Sequence, residues 1–304
     1  MKNNNKVLAT FAAIGAQVIF GFSFMFTKIA LGFASPMTVV ADRFIVAFLG
    51  LSIVVLFTKT KFMFKSNIWK LILMATFQPF LYFIFESYGI KMTTSVFSSI
   101  MISLIPVVSM ISGIFMLKEI PSPMQYMFTA LSVVGVAIMA FTGNREGTVS
   151  FLGILLLFGA VLSSVAYNIA SRKISAEFTA LERTYMMTLV GMVSFVLIAL
   201  VENRGNILNI LNPVSDISYL SAILYLGIIS SVLAFFLLNY ANTYLPVAKT
   251  TVFSNLTTVV SVIAGALFLD EKISLEAILS TVMIIIGVWG VQVMSVKNKE
   301  KDVI

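Results

Sequence analysis

SGIFMLKEI at residues 112–120 and AGALFLDEK at residues 264–272 repeat one pattern in the two halves of the chain. In each stretch a glycine precedes a glutamate by six residues, and a leucine precedes the same glutamate by two. Subtracting 112 from 264 gives a spacing of 152 residues, which is half of the 304-residue chain. The spacing predicts a protein built from two similar units.

More residues match between the two halves. Apolar helices also resemble one another by composition, but matched polar, aromatic and glycine positions at one spacing favour a true repeat. The pairs at 152 residues are Tyr88 with Tyr240, Ser109 with Ser261, Gly113 with Gly265, Leu117 with Leu269, Glu119 with Glu271, Ser122 with Ser274, and Gly135 with Gly287. A weaker match at a shorter spacing pairs Gly15-Ala16 with Gly159-Ala160 and Thr27-Lys28 with Ser171-Arg172.

The composition indicates an integral membrane protein. The chain is 59% hydrophobic and 11% charged, and its mean hydropathy is +1.02, whereas about 25% of the residues in soluble domains are charged. Only helices and closed barrels satisfy every backbone polar group in lipid. The apolar runs last about 20 residues, the length of a spanning helix, and not the shorter alternating segments of barrel strands. The sequence therefore predicts an all-α membrane protein.

Ten apolar spans follow one another along the chain. The first resembles a secretory signal, but it is longer than the apolar region of one and is read as an uncleaved helix. The predicted spans are 7–31, 37–57, 68–90, 93–117, 124–142, 151–171, 181–201, 218–241, 246–269 and 275–295. They predict ten transmembrane helices in two five-helix repeats, residues 1–145 and 146–304. Because five is odd, the second repeat is inverted, as in many secondary transporters.

Positive charges predict the orientation of these helices. Lys and Arg concentrate in cytoplasmic segments. With a cytoplasmic N-terminus, the inside segments hold fourteen of the 20 Lys and Arg, including Arg172, Lys173 and Arg183, the outside segments hold four, and Lys28 and Arg43 lie within spans. Both termini are therefore predicted to be cytoplasmic, in the cell membrane. The net charge of +7 follows this topology and does not call for a nucleic acid partner.

Several classes of function are excluded because the chain lacks the residues or motifs that they require. It has no Cys and no His, which removes thiolate chemistry, disulfides, haem ligation by His and the usual zinc sites. No phosphate-binding loop of the Gly-x-x-x-x-Gly-Lys-Ser/Thr type occurs, so ATP-driven pumping is not expected. No cofactor is expected. The expected partners are a small-molecule substrate and membrane lipid, with a coupling proton as one option and the oligomeric state open.

Four ionisable residues lie inside predicted spans: Lys28, Asp42, Arg43 and Glu86. Such residues are costly in lipid and mark functional sites. All four fall toward the outer half of the first repeat, where two cations and two anions could neutralise one another. One interpretation is a zwitterion site, with Arg43 or Lys28 for a carboxylate and Glu86 or Asp42 for an amine. The alternative is a structural charge cluster in which Lys28 extends to the interface.

Polar residues without charge add further candidates. Gln78, Tyr82 and Glu86 follow at intervals of four residues, so one face of the third helix carries all three. That face is expected to look into the helix bundle or a wet cavity. Further candidates are Tyr167, Asn168, Asn239, Tyr240 and Asn255. Each of these could instead make an interhelical hydrogen bond.

The repeated stretches themselves are predicted to be structural. Ser109 with Gly113, and Ser261 with Gly265, have the small-x-x-x-small spacing that lets membrane helices approach closely. Glu119 and Glu271 follow these helices, just before the N-terminus of the next helix, where negative charge is favoured. Ser122 and Gln125 are spaced for a capping box.

Several motifs in order resemble a known family. They are FGFSFMFTK at 20–28, ADRF at 41–44 and the two repeated stretches. With the ten spans and the half-length repeat, the chain resembles an EamA-type member of the drug/metabolite transporter superfamily over residues 7–295. The resemblance implies export or import of small metabolites, often amino acids, without ATP hydrolysis. An intramembrane enzyme and a structural membrane protein remain the alternatives.

Overall fold

A computed structural model describes residues 2–58, 67–117, 122–145, 149–245, 250, 253–269 and 275–301. Ten long helices follow one another along the described chain, with a short helix, Ile207–Leu211, between the seventh and the eighth. They are α1 Lys2–Ala30, α2 Pro36–Thr58, α3 Ile68–Lys91, α4 in two segments Ser95–Ile102 and Ile105–Leu117, α5 Pro123–Arg145, α6 Phe151–Ile174, α7 Ala180–Glu202, α8 Ile217–Tyr244, α9 Ser254–Phe268 and α10 Leu275–Lys301. The all-α membrane architecture predicted from the sequence is confirmed.

Length and polarity explain why these helices span a membrane. Six of them, α1, α2, α3, α6, α7 and α8, have 23 to 28 residues in apolar continuous runs, or about 35–42 Å of helix. The caps also follow the sequence. Thr179 and Glu182 form a capping box at the start of α7, and the predicted box of Ser122 and Gln125 forms at α5. Thr94 caps α4 after a turn that separates it from α3.

The helix boundaries repeat between the two halves. α1 and α6 end at residues 30 and 174, and α2 and α7 run over 36–58 and 180–202, a spacing of 144 residues. α5 and α10 begin at residues 123 and 275, a spacing of 152. α8 contains a wider π-helical segment, Tyr225–Ala234. α3 is kinked at the corresponding level, where the backbone of Gln78 is extended and the bond to Pro79 is cis. Both helices of this pair therefore depart from regular α-helix near their middle, in different ways.

The two repeats pack against each other along their whole length. α2 packs on α7, α4 on α9 and α5 on α10, so equivalent helices meet across the repeat interface. α1 packs on α8 as α6 packs on α3. We name the membrane face at which α1 begins face A and the opposite one face B. Because each repeat contains five helices, an odd number, the second repeat is inverted and equivalent residues of the two repeats lie at opposite depths.

Glycines bring α5 and α10 together. A β-carbon on Gly135 would lie 3.0 Å from the Ser280 carbonyl oxygen, and one on Gly287 would lie 2.6 Å from the Phe128 carbonyl oxygen. Both glycines are therefore required for the close approach of backbones that packing in lipid favours. They are also a pair that the sequence repeat matches.

Leucine at Gly287 is expected to destabilise the protein, because backbone atoms of α5 cannot move aside as a flexible side chain can. Overpacking costs about 1–3 kcal/mol, and the direct backbone contact places Gly287→Leu at the upper end. The melting temperature of the purified protein in detergent measures the effect. Ala130→Leu adds a larger side chain to the exposed side of α5 and is the control. Equal melting temperatures for the two variants would contradict this account of the helix pair.

Candidate functional site

A cavity lies between the two repeats. Its first-repeat wall comes from α1 to α4, and its second-repeat wall comes from α6, α8, α9 and Thr250. The lining residues are Gln17, Phe20, Ser23, Phe24, Arg43, Gln78, Tyr82, Phe83, Glu86, Ile102, Ile105, Ser164, Asn168, Phe235, Leu238, Thr250, Ser254 and Thr257. The space open to the centres of water molecules is about 60 Å³. That holds about four to six waters, or about 120–180 Å³ of liquid, which suits a small solute.

Arg43 is the cation of this cavity. α2 carries it inward, and it is 4% exposed. Its Nε donates to Ser231 Oγ at 2.7 Å and its Nη2 donates to Ser230 Oγ at 2.8 Å. The guanidinium carbon lies 4.3 Å from the centre of the Phe83 ring, within the range of a cation–π contact. The guanidinium has five N–H donors, and Nη1 donates to no residue in the described part of the chain.

The π-helical segment of α8 supplies both partners of Arg43. Ser230 and Ser231 are consecutive residues within Tyr225–Ala234, and both are buried. Ser23 on α1 donates to Ser230 Oγ at 2.8 Å. The second repeat therefore holds the arginine of the first in one orientation, with two donors of Nη1 left for another group.

Acceptors without partners lie on α3. Tyr82 donates its hydroxyl to Glu86 Oε1 at 2.9 Å. Glu86 Oε2 and Gln78 Oε1 are buried, and neither accepts a hydrogen bond from the described residues. Buried polar atoms are seldom left unpaired. The polar face predicted for α3 thus lies on the cavity wall and presents two open acceptors to a donor from outside the chain.

Uncharged polar groups line the wall of the second repeat. Asn168 Nδ2 donates to the Ser164 carbonyl oxygen at 2.9 Å, and its Oδ1 accepts from Asn242 at 3.1 Å. Thr257 donates to Gln17 on α1, with its carbonyl oxygen at 3.0 Å and Oε1 at 2.8 Å. Among the predicted second-repeat residues whose side chains are described, only Asn168 lines the cavity.

Lys28 lies away from this cavity and stabilises a helix end. Its Nζ donates to the carbonyl oxygens of Ile90 and Thr93, at the C-terminus of α3. In the second repeat, Arg172 donates to the carbonyl oxygens of Asn242 and Thr243, at the C-terminus of α8. Cations stabilise the negative end of a helix dipole. The matched positions Lys28 and Arg172 thus share one structural contact.

Asp42 also points elsewhere. Its Oδ2 accepts from the Tyr219 hydroxyl at 2.6 Å, which joins the face B ends of α2 and α8. The sequence suggested that Lys28, Asp42, Arg43 and Glu86 neutralise one another. Among the described residues none of the four forms a direct ion pair with another. Their side-chain hydrogen bonds go to neutral groups, and only Arg43 and Glu86 share the cavity, where their opposite charges attract.

A second buried polar cluster lies near face A. Arg183, counted as a loop cation in the sequence, is inside α7 and 0% exposed, because the capping box starts the helix at Ala180. It donates to the carbonyl oxygens of Ser171, Thr179 and Asn239 and to the hydroxyls of Ser171 and Thr243. Asn239 in turn accepts from Tyr167 at 2.9 Å. Tyr167 and Asn239 therefore join α6, α7 and α8 and do not line the cavity.

The remaining candidates fall outside the cavity lining. Tyr240 packs against Tyr244, with ring centres 4.9 Å apart, and the Asn255 side chain lies outside the described residues.

Ser261 donates to the Ser95 carbonyl oxygen at 3.4 Å, a contact between α9 and α4, and Gly265 is buried on the same helix. Gly113 is on α4, where the buried Ser109 hydroxyl has no partner in the described chain. Glu119 and Glu271 lie outside the described residues.

Sequence reasoning missed most of the uncharged lining. Phe20, Phe24, Phe83 and Phe235 look like ordinary packing residues in a chain with 27 phenylalanines. The repeat spacing could have identified two of them, because Phe83 and Phe235 are 152 residues apart and are therefore equivalent positions. These two rings meet edge to face with centres 6.3 Å apart, on the cavity wall between the repeats.

Comparisons with known proteins agree with this architecture. A solved crystal structure superposes with a TM-score of 0.65 over 94% of this chain and 98% of that chain, at 17% identity, which shows the shared fold. The uncharacterized transporter YcxC of Bacillus subtilis is 34% identical over 95% of this chain and 94% of its own length. A WAT1-related protein of Arabidopsis thaliana is 24% identical over 95% of this chain and 85% of its own. Because the model of the EamA-like transporter family matches residues 7–141 and again residues 151–293, the chain belongs to that family.

Proposed function

We propose that this membrane transporter is a secondary transporter that moves small zwitterionic metabolites, such as amino acids, by alternating access without ATP hydrolysis. The observation that carries the proposal is the pairing of open groups in one cavity. Arg43 Nη1 offers donors to a carboxylate, and Glu86 Oε2 and Gln78 Oε1 offer acceptors to an ammonium group. A zwitterion would satisfy both sets at once.

Alternating access is supported by contacts between the repeats at both faces. At face A, Lys70 on α3 forms an ion pair with Glu177 in the α6–α7 connection. At face B, Glu202 on α7 accepts from Ser35 at 2.7 Å and from Tyr88 at 3.4 Å. Pairs at or near the surface, such as these, contribute little individually because water screens them. Either set can therefore open while the other stays closed, which exposes the cavity to one side at a time.

The distribution of positive charge supports an orientation in the cell membrane. Face A carries most of the Lys and Arg residues, so we assign it to the cytoplasm, with both termini on that side of the cell membrane. Export and facilitated exchange both fit this geometry, and the net direction follows from the solute gradient.

A coupling proton would be carried by Glu86. Glu86 lines the cavity, and its buried Oε2 accepts no hydrogen bond from the described residues, whereas Asp42 is held by Tyr219 outside the lining. A proton on Glu86 removes the acceptor charge that would bind an ammonium group. Proton and substrate would therefore compete for one site, which couples their movements in opposite directions.

Purified protein in liposomes tests the function and the coupling together. We expect flux of a radiolabelled zwitterionic amino acid without ATP, and faster uptake when the lumen is more acidic than the medium. Glu86→Gln should lose the dependence on the pH gradient, whereas Asp42→Asn should keep it. Turnover of the solute in place of flux would overturn the proposed function. If the flux through the unmodified protein does not depend on the pH gradient, the transport is facilitated diffusion.

A further inference from the structure

Four pairs of equivalent positions, on α1 with α6 and on α4 with α9, line the cavity with opposite chemistry. In each pair the residue of the first repeat is apolar and that of the second is polar and uncharged, although α1 also contributes the polar residues Gln17 and Ser23. The equivalent lining pairs are Phe20 with Ser164, Phe24 with Asn168, Ile102 with Ser254, and Ile105 with Thr257. The first two follow the spacing of 144 residues found for α1 and α6, and the others follow 152.

In the pair of α3 and α8 the order is reversed, because the polar residue belongs to the first repeat and the apolar one to the second. α3 supplies Glu86 to the cavity wall, and the equivalent residue of α8 is Leu238. Tyr82 of α3 corresponds to Ala234 of α8. Both formal charges of the lining, Arg43 and Glu86, therefore come from the first repeat.

Inversion separates these groups in depth. Glu86 is five residues from the end of α3 and Arg43 is seven from the start of α2, so both lie about 7–10 Å from face B. Asn168 is six residues from the end of α6, about 9 Å from face A. We call Arg43, Tyr82 and Glu86 the charged end, and Gln17, Ser164, Asn168, Ser254 and Thr257 the neutral end. The charged end therefore lies nearer face B, and Asn168 of the neutral end lies nearer face A.

Two side chains of the neutral end have polar atoms without a hydrogen-bond partner among the described residues. The Ser164 hydroxyl makes no hydrogen bond to a described residue, although it lines the cavity. Gln17 Oε1 accepts from Thr257, and Gln17 Nε2 donates to none of the residues that the structure describes. No cation lines this end of the cavity among the described residues, so a carboxylate there would be buried without a partner.

We infer that the substrate binds in one orientation, with a zwitterionic head at the charged end and an uncharged oxygen- or amide-bearing tail at the neutral end. This rests on the proposed function and narrows its substrate class. A purely apolar tail leaves polar groups of the neutral end unpaired once it displaces their water. Sites built for hydrogen bonds reject analogues that lack them more strongly than apolar pockets reject extra methyl groups.

Matched amino acid pairs test the tail in counterflow with proteoliposomes. L-threonine and L-valine differ only by hydroxyl and methyl, L-glutamine and L-norleucine compare an amide with an apolar tail, and L-glutamate supplies an anionic tail. At subsaturating concentration we expect at least one polar member to exchange about tenfold faster than its apolar partner, and L-glutamate to be the slowest. Ser164→Ala and Asn168→Leu should reduce that ratio several-fold, whereas Ser112→Ala on α4, outside the lining, should keep it.

The outcomes separate the two claims. If none of the five amino acids exchanges, the proposed function fails and the inference fails with it. If apolar and polar members of both pairs exchange equally, or L-glutamate exchanges as fast as L-glutamine, the function stands and the tail assignment is wrong. A ratio that both Ser164→Ala and Asn168→Leu leave unchanged would also overturn it, and Ser164→Ala removes only an unbonded hydroxyl, so folding does not limit that variant.

Discussion

Replacement of Arg43 by alanine is expected to reduce solute flux by about two orders of magnitude while leaving the protein in the membrane. The side chain supplies the cation of the cavity, and truncating one partner of a buried, hydrogen-bonded charge pair costs about 2–5 kcal/mol. Its loss also releases Ser230 and Ser231 from their contacts across the repeat interface. Flux of a labelled amino acid per reconstituted molecule measures the effect.

Two further variants separate charge from geometry. Arg43→Lys keeps the charge but not the planar fork of donors, so we expect intermediate flux. Lys70→Ala removes a half-buried cation from the face A ion pair and should retain most of the flux. An Arg43→Ala variant as active as the unmodified protein would remove Arg43 from substrate binding.

Arg183→Ala is expected to have the largest effect on stability. Its guanidinium donates five hydrogen bonds within the buried cluster. Truncation removes these donors from the Ser171 carbonyl oxygen of α6 and from the Asn239 carbonyl oxygen of α8, which retains only the Thr243 hydroxyl as a side-chain donor. Each unsatisfied buried group costs about 1–3 kcal/mol, so a loss of at least about 3 kcal/mol is expected. The melting temperature in detergent and the yield of folded protein should both fall.

Arg172→Ala is the matched control for that cluster. Arg172 also donates to two carbonyl oxygens of α8, but it is exposed, so water can replace its donors. A small change for Arg172→Ala beside a large one for Arg183→Ala would follow from this difference in burial. Similar melting temperatures for the two variants would contradict the structural role of the Arg183 cluster.

The fold could be predicted from the sequence because the repeat and the apolar runs are each visible there. The predicted spans differ from the helices mostly by one to four residues, and the match of Gly135 with Gly287 corresponds to a contact between α5 and α10. Most of the start of the ninth predicted span, residues 246–249, 251 and 252, lies outside the described residues, and α9 is described from Ser254 to Phe268. Length and periodicity set these features, and neither depends on how side chains meet.

The site was predictable only in part. Arg43, Glu86 and the polar face of α3 stand out because polar groups in lipid are costly, and these residues line the cavity. The same cost also selected Lys28 and Asp42, whose partners are a helix end and Tyr219. Composition cannot distinguish a polar group that binds a ligand from one that forms a hydrogen bond with another helix. The partner can be distant in sequence, as it is for Lys28, whose acceptor Ile90 is more than 60 residues away.

Arg183 and the aromatic lining escaped prediction for the opposite reason. A cation three residues after a helix start looks like a loop charge until the ends of α6 and α8 are placed around it. Phe83 and Phe235 look like packing residues until the repeats are superposed. Both features are set by contacts between helices that are distant in sequence.

Cysteine accessibility tests alternating access most directly, because the chain has no cysteine of its own. Ser164→Cys places a thiol of similar size in the cavity, while Ala176→Cys and Asn206→Cys mark exposed positions at face A and face B. A small membrane-impermeant thiol reagent is added to right-side-out and to inverted vesicles. We expect Ala176→Cys to react from the cytoplasmic side alone, Asn206→Cys from the outside alone, and Ser164→Cys from both. Reaction of Ser164→Cys from one side only, with both markers behaving as expected, would contradict alternating access.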